Sequence, residues 1–454
     1  MMRMAALTLL VVALPAAAFE HPGGLHTKAQ IEFVRAQVKA GKQPFKSGYN
    51  QLLSKAKERL GKKPRAMEDF HVKRYYSSGR EQHIRMKTLI SEDATVAYAC
   101  ALVYHLNIDL FPERKRYADK AKEFLNHWAS VNKKVSGGDG KLVMCYNGVG
   151  LLFAAELLWD YEGWSDNDKK QFKSWAKNVL YASSGGKKGH SNRANWYLLA
   201  ALAVDHLTDD EKQMEADMKL IKPTIDRQIK PDGGMPEELR RGKNSMWYTY
   251  FALAPLTACM EIARNMGGPD LYGYNPPSGG KVKDALDFLF KHGIEEPDSW
   301  PVKGARNILK PDACGGNLFY AMGLIYNDKR YLKWVKHPIW RDSTGLAWIC
   351  PSLMTPPERN RSEAPRPEGV ASGRPPIRMS LSVYLCSASN RLGSQGSRSS
   401  RESPAWASMV RNNRKTKALA HRANGTSATA IIGGHGIIWG HPSMSKSLSS
   451  RKRF

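Results

Sequence analysis

The chain has 454 residues, 42% hydrophobic content and a formal net charge of +27. That much apolar material excludes a chain disordered throughout, and the length allows one large domain or two ordinary ones. The positive excess suits a polyanionic partner through long-range attraction, but charge alone does not choose among an acidic polysaccharide, nucleic acid and an anionic surface.

Residues 1–18 read as a secretory signal. Met1-Met2-Arg3-Met4 is a short basic start, Ala5 to Leu14 is an apolar run, and Ala16-Ala17-Ala18 supplies small residues before a cut. The expected location is therefore secreted or periplasmic. The run is short for a bilayer, and no later stretch has eighteen uninterrupted apolar residues, so no membrane span is expected.

From Thr27 to about Trp334 the apolar residues recur at helical spacing almost throughout. Ile31, Val34 and Val38 mark a first helix, and Leu52, Leu53, Ala56 and Leu60 a second. Further helices are expected over Asp93–His105, Tyr117–Val131, Val149–Trp159, Phe172–Tyr181, Asn195–His206, Glu211–Ile229, Ser245–Met266 and Val282–His292, with Ser165 placed as an N-cap. Gly137-Gly138-Asp139-Gly140, Gly185-Gly186, Pro231-Asp232-Gly233-Gly234 and Asn275-Pro276-Pro277 punctuate the series. No convincing strand precedes residue 300. Ten or more helices on short loops predict an all-α chain of antiparallel helix pairs, either closed into a toroid or stacked as a solenoid. The lack of a repeat of fixed period weakens the solenoid.

Beyond Cys350 the composition turns to Ser, Arg and Pro with little periodicity. Residues 355–454 carry 17 Lys and Arg against 4 Asp and Glu, a net of +13, which leaves +14 for the rest. The expected organisation is a signal at 1–18, a helical domain at 19–350 and an irregular, low-complexity basic tail at 351–454. The tail could hold polyanions. The composition favours a dispensable or artefactual end. Six cysteines at 100, 145, 259, 314, 350 and 386 are widely spaced, with no Cys-x-x-Cys pair, so no bridge and no Zn-type motif is assigned. No nucleotide-binding loop is present either, and no cofactor is expected.

Two stretches carry chemistry. In Glu237-Glu238-Leu239-Arg240-Arg241-Gly242-Lys243-Asn244-Ser245-Met246-Trp247-Tyr248, Arg241 and Tyr248 lie seven apart, which places them on one face of a helix. In His190-Ser191-Asn192-Arg193-Ala194-Asn195-Trp196, Asn192 and Asn195 share a helical face beside His190. Each residue alone has a bland reading: packing for the tyrosine and for Trp196 and Trp247, an N-cap for Asn192, a solvated face for Arg240 and Arg241. The combination fits β-elimination from a 4-linked uronate. Donors neutralise the C6 carboxylate so that the C5 proton becomes removable, a base takes that proton, and an acid protonates the departing O4. A phenol can donate to an alkoxide, and a nearby guanidinium favours its ionised form.

Those residues carry a resemblance. The chain resembles the alginate lyase superfamily of helical-toroid polysaccharide lyases, with its alginate and glucuronan branches. His21-Pro22-Gly23-Gly24-Leu25-His26-Thr27 and Ala40-Gly41-Lys42-Gln43-Pro44-Phe45 are similar to its opening segment, and Asp93–Leu106 and Tyr117–Trp128 to its next helices. Ser191–Trp196 is similar to its Asn-containing motif, and Glu238, Arg241 and Tyr248 to its Glu, Arg and Tyr helix. The likeness covers about residues 20–345. It implies an incomplete (α/α) toroid in which Asn192 and Arg241 hold the carboxylate, Tyr248 is the acid, and Asn195, Trp196, Arg193, Arg240 and Trp247 contact substrate. Many relatives have a His directly after the catalytic Asn, where this chain has Arg193. Either His190 is then the base, or Tyr248 is base and acid in turn. One tyrosine serves both only where H5 and O4 leave from the same face, as in mannuronate or glucuronate.

The expected activity is thus a lyase acting on such an acidic polysaccharide, with no nucleic-acid partner and no metal-ligating residues assigned, a bound Ca²⁺ staying open. Two other readings stay open. One is a glycoside hydrolase using a carboxylate pair from Asp232, Glu237 and Glu238. The other is a non-catalytic binder of acidic polymer.

Overall fold

The computed structural model describes residues 19–108, 112–306, 309–312, 314–335 and 347–353. The signal read at 1–18 and the tail beyond 353 lie outside them. In chain order the elements are α1 (Lys28–Lys39), α2 (Phe45–Arg59), β1 (Asp69–His71), α3 (Arg80–Leu106), α4 (Arg114–Val131), β2 (Lys134–Ser136), α5 (Gly140–Leu157), α6 (Asp166–Trp175), α7 (Asn192–Leu207), α8 (Glu211–Met218), α9 (Ile221–Gln228), α10 (Pro236–Leu239), α11 (Ser245–Asn265), α12 (Val282–Phe290), α13 (Cys314–Ile325) and α14 (Lys329–Trp334).

Burial sorts the long helices into two layers. Residues 93–103 of α3, 143–157 of α5, 194–207 of α7 and 249–263 of α11 are buried without a break, as expected of helices covered on every side. These four pack in sequence, α3 on α5, α5 on α7 and α7 on α11. The outer helices bury one stripe each: Ile31, Val34 and Val38 in α1, and Tyr117, Ala121, Phe124 and Trp128 in α4. An inner ring of apolar helices inside amphipathic ones is the all-α toroid that the sequence resemblance implied.

Local chemistry explains several boundaries. Thr27 caps α1 reciprocally with Gln30: its hydroxyl accepts from the Gln30 amide at 3.1 Å, and Gln30 Oε1 accepts from the Thr27 amide at 3.0 Å. Ser165 caps α6 as expected, accepting from the Asp168 amide. The single helix expected over Glu211–Ile229 is two, because Pro223 lacks an amide proton and its ring excludes a helical carbonyl four residues back. The helix expected over Phe172–Tyr181 loosens into a wide π-type turn at 176–181. Pro351–Leu353 forms a buried turn against α2, and Asn317 ties the segment before it by donating to the Trp348 and Ile349 carbonyls.

One element was not expected at all. β1 and β2 form a two-stranded parallel pair, Phe70 opposite Val135. Three-residue strands are too short for alternation to show in a sequence. Asn132 locks the pair by donating to the Met67 and Lys134 carbonyls at 2.9 and 3.1 Å. The pair matters because the chain leaves β1 through Val72 into the segment bearing Tyr75 and Tyr76. Gly137, just after β2, has φ +83°, and a Cβ there would overlap the Val72 carbonyl. Gly137→Ala should therefore cost about 1–3 kcal/mol and dislodge the Tyr75–Tyr76 segment. Urea unfolding together with activity checks this: activity should fall by more than the lost folded fraction explains.

Candidate active site

The site is built on two helix starts that face each other. Asn192 is the first residue of α7 and is buried, with Ser191 rather than Asn192 at the cap position. Opposite it, Glu238 in α10 is 1% exposed. Its two oxygens accept from the Asn192 backbone amide at 2.6 Å and from Asn192 Nδ2 at 2.7 Å. One side-chain N–H of Asn192 is thereby fixed, and the amide keeps a second N–H for a ligand. Arg241 Nε lies 3.7 Å from Glu238 Oε2, and its guanidinium sits 5.0 Å from the centre of the Tyr248 ring. Asn192, Arg241 and Tyr248 thus join one chain of contacts through Glu238.

Arg241 and Tyr248 do not share a helix, contrary to the spacing argument. Arg241 follows α10, a tight turn over Gly242–Asn244 intervenes, and Tyr248 lies in the first turn of α11. Gly242 has φ +58°, and that turn folds the guanidinium back over the ring.

Tyr248 has a partner that sequence reasoning missed. Its hydroxyl lies 2.8 Å from the hydroxyl of Tyr76, and Asn244 Nδ2 donates to Tyr76 at 3.4 Å. Tyr76 is 69% exposed, and its ring packs edge-on against Tyr75 with ring centres 5.0 Å apart. Its signal was a Tyr-Tyr pair before Ser77-Ser78-Gly79, in a stretch between expected helices. Asp139 anchors this segment by accepting from the Tyr75 amide at 2.8 Å, and it also faces His83 at 3.4 Å and Arg193 at 3.5 Å. The Gly-rich run at 137–140 read only as punctuation.

Electrostatics separate the acids and the phenol. Burial pushes Tyr248 well above the usual tyrosine range, the Tyr76 contact adds to this, and the Arg241 charge opposes it. Burial also raises Glu238, against the pull of Asn192 and Arg241. Burial acts upward on Asp139 too, but there His83, the Tyr75 amide and Arg193 outweigh it and hold the carboxyl below its ordinary value.

The other residues singled out in the sequence go elsewhere. Asn195 was expected to touch substrate, but it is wholly buried. Its Nδ2 donates to Gln228 and to the Ala252 carbonyl, each at 2.9 Å, and its Oδ1 accepts from Gln228 at 2.8 Å. Every polar atom of that side chain is satisfied inside, so its role is structural. Trp196 is likewise interior, packed on Tyr146 and Phe251, and cannot be a sugar platform. Trp247 is half-buried against Tyr250 and Phe251. Arg193 is exposed and held between Asp139 and the Tyr197 hydroxyl, 3.3 Å away. His190 is exposed and lines a separate hollow with Arg227, Lys230, Glu237 and Arg240. None of Asn192, Arg241 and Tyr248 lines that hollow. Arg240 pairs there with Glu237.

Comparisons with known proteins give the family and the fold. The model of the alginate lyase family matches residues 38–300, more than half of the sequence. The chain belongs to the alginate lyase family. A polysaccharide lyase of Stenotrophomonas maltophilia strain K279a is 36% identical over 109 residues, a stretch that spans 24% of this chain and 30% of that relative. Among solved structures, an alginate lyase from Bacteroides ovatus superposes with a TM-score of 0.58 at 18% identity, covering 70% of this chain and 97% of that one. An alginate lyase from a Sphingomonas species gives a TM-score of 0.61 at 15% identity over 76% of this chain and 100% of that one. A variant alginate lyase complexed with a tetrasaccharide gives 0.58 at 17% identity, over 74% and 96%. At such identities these structures establish the toroid fold.

Glu238 can be tested apart from turnover. Glu238→Gln would set an amide NH₂ against a donor of Asn192, and the stability loss in urea unfolding should be about 1–3 kcal/mol. An unchanged midpoint would mean that the Asn192–Glu238 pair does not hold α7 to α10.

Proposed function

We propose that this member of the alginate lyase family is an exported polysaccharide lyase that cleaves a 4-linked, mannuronate- or glucuronate-containing chain by β-elimination. The observation that carries the reading is the Tyr248 hydroxyl, set against Tyr76 and beneath Arg241, next to an asparagine whose amide is fixed by a buried carboxylate. Arg241 and the remaining N–H of Asn192 neutralise the C6 carboxylate. Tyr248 in its phenolate form takes H5, the electron pair forms the C4=C5 double bond, and the C4–O4 bond breaks. The same phenol then returns its proton to O4. The tetrasaccharide complex of a structural neighbour supports an oligosaccharide ligand for this fold.

His190 is a poor candidate for the base, because it lines the separate hollow. We therefore assign both proton steps to Tyr248, a scheme that favours sugars whose H5 and O4 share a face. The hydrolase reading lacks a free carboxylate pair. Glu238 is occupied by Asn192, Glu237 by Arg240, and Asp232 accepts from the Gly234 amide.

Incubation with polymannuronate, glucuronan and polyguluronate, read by ultraviolet absorbance of the unsaturated product, tests the substrate. Absorbance should rise with the first or second polymer; release from polyguluronate alone excludes the single-tyrosine scheme. Tyr248→Phe should keep polymer binding and lose turnover by about 10²–10⁴-fold; equal turnover would leave only a binder or another base. Because burial raises the Tyr248 phenol in the folded protein, its base form grows as pH rises. kcat/KM should therefore climb from neutral pH upward without an early plateau, and a profile flat from pH ~6 upward would contradict this assignment.

A further inference from the structure

A second cluster lies far from the tyrosine. His21, Glu156 and His206 are each no more than 5% exposed, and one ligand atom from each lies within 4.8 Å of the other two. They come from three places: the segment before α1, the C-terminal turn of α5 and the C-terminal turn of α7. His21 Nε2 lies 3.2 Å from Asp209 Oδ1, and Asp209 is itself held by Lys173 Nζ at 2.6 Å and the Phe19 amide at 2.8 Å. With Nε2 donating to Asp209, His21 Nδ1 presents a lone pair. That atom is buried without a partner and faces Glu156 Oε1 at 3.9 Å. His206 Nδ1 contacts the same carboxylate oxygen, and its Nε2 is also buried without a partner.

Lone pairs and a carboxylate converging in a dry interior call for a cation. With neutral imidazoles, the carboxylates of Glu156 and Asp209 outweigh the single charge of Lys173. Two imidazole nitrogens and a carboxylate oxygen suit a Zn²⁺-class ion, whose ligands stand at about 2.0–2.2 Å. The contact of His21 with Asp209 has the form of the outer carboxylate that orients a metal-bound histidine. The chain makes room for it: a Cβ on Gly24 would stand 2.9 Å from Glu156 Oε2.

We infer that His21, Glu156 and His206 form a structural site for a divalent ion of the Zn²⁺ class, which staples the segment around His21 to the inner helices α5 and α7. Its ligands lie 135 and 50 residues apart in sequence, so no spacing motif announces it. It is structural because its ligands are buried and lie at the end of α7 opposite Asn192, about 20 Å along that helix.

The full-length chain, purified without a polyhistidine tag and dialysed against metal-free buffer, is titrated with Zn²⁺ alone and its metal content measured by plasma mass spectrometry. About one equivalent should bind, and EDTA should lower Tm with recovery on adding Zn²⁺. Asp209→Asn keeps a residue that tolerates the φ of +58° found there, and it should weaken Zn²⁺ binding by about 10–100-fold. Glu156→Gln should abolish binding. Failure of the wild type to bind, with Tm indifferent to EDTA, overturns the site. So does binding unchanged in Asp209→Asn, which would put the ion elsewhere and which decides the matter even where Glu156→Gln does not fold.

Discussion

A buried carboxylate organises the end of this protein that carries Asn192, Arg241 and Tyr248. Glu238 costs free energy to bury unless its oxygens are satisfied, and what satisfies them is the start of α7. The backbone amide of Asn192 is one of the donors that a helix leaves unpaired in its first turn, and Glu238 takes it together with the side-chain amide. One interaction thus caps α7, fixes the rotamer of Asn192 and joins α7 to α10. Arg241 then leans toward the same carboxylate and lies over Tyr248. Removing the carboxylate would release all of these at once.

The other wall of the site is not helical. The Tyr75–Tyr76 segment is held by the short β1–β2 pair, by the close passage of Gly137 under Val72, and by Asp139. Asp139 holds Arg193 on its other side. The position after Asn192 is therefore part of an ion pair with the opposite wall. Tyr248 sits between the walls, its phenol raised by burial and opposed by Arg241. Binding of an acidic sugar would change both influences, since it would displace water and engage the guanidinium.

Much of this was legible in the sequence. Helices with long apolar runs, such as those expected over Asp93–His105 and Val149–Trp159, could be recognised because burial on all sides leaves a continuous signal, although α3 and α5 begin earlier, at Arg80 and Gly140. Asn192, Arg241 and Tyr248 were singled out by residue type and by likeness to a family, and the structure joins them in one chain of contacts through Glu238. Asn195 was misread because it lies one helical turn from Asn192: spacing puts two amides on one side of a helix, while Gln228, from α9, draws the second inward. Trp196 was misread because a tryptophan's type does not reveal whether its ring meets sugar or core. Tyr76 and Asp139 were missed because a loop has no periodicity and their partners lie 172 and 64 residues away.

The sequence by itself determined the all-α character, the order of the helices and the residue types available for elimination chemistry, since periodicity, caps and functional groups are local properties. Only the tertiary structure decided which of those groups meet. Arg241 reaches Tyr248 through a turn rather than a shared helical face, Tyr76 arrives from a segment pinned by a two-stranded pair, and His190 is led away into another hollow. Each depends on where distant segments are brought together in space, which sequence spacing along one helix does not encode.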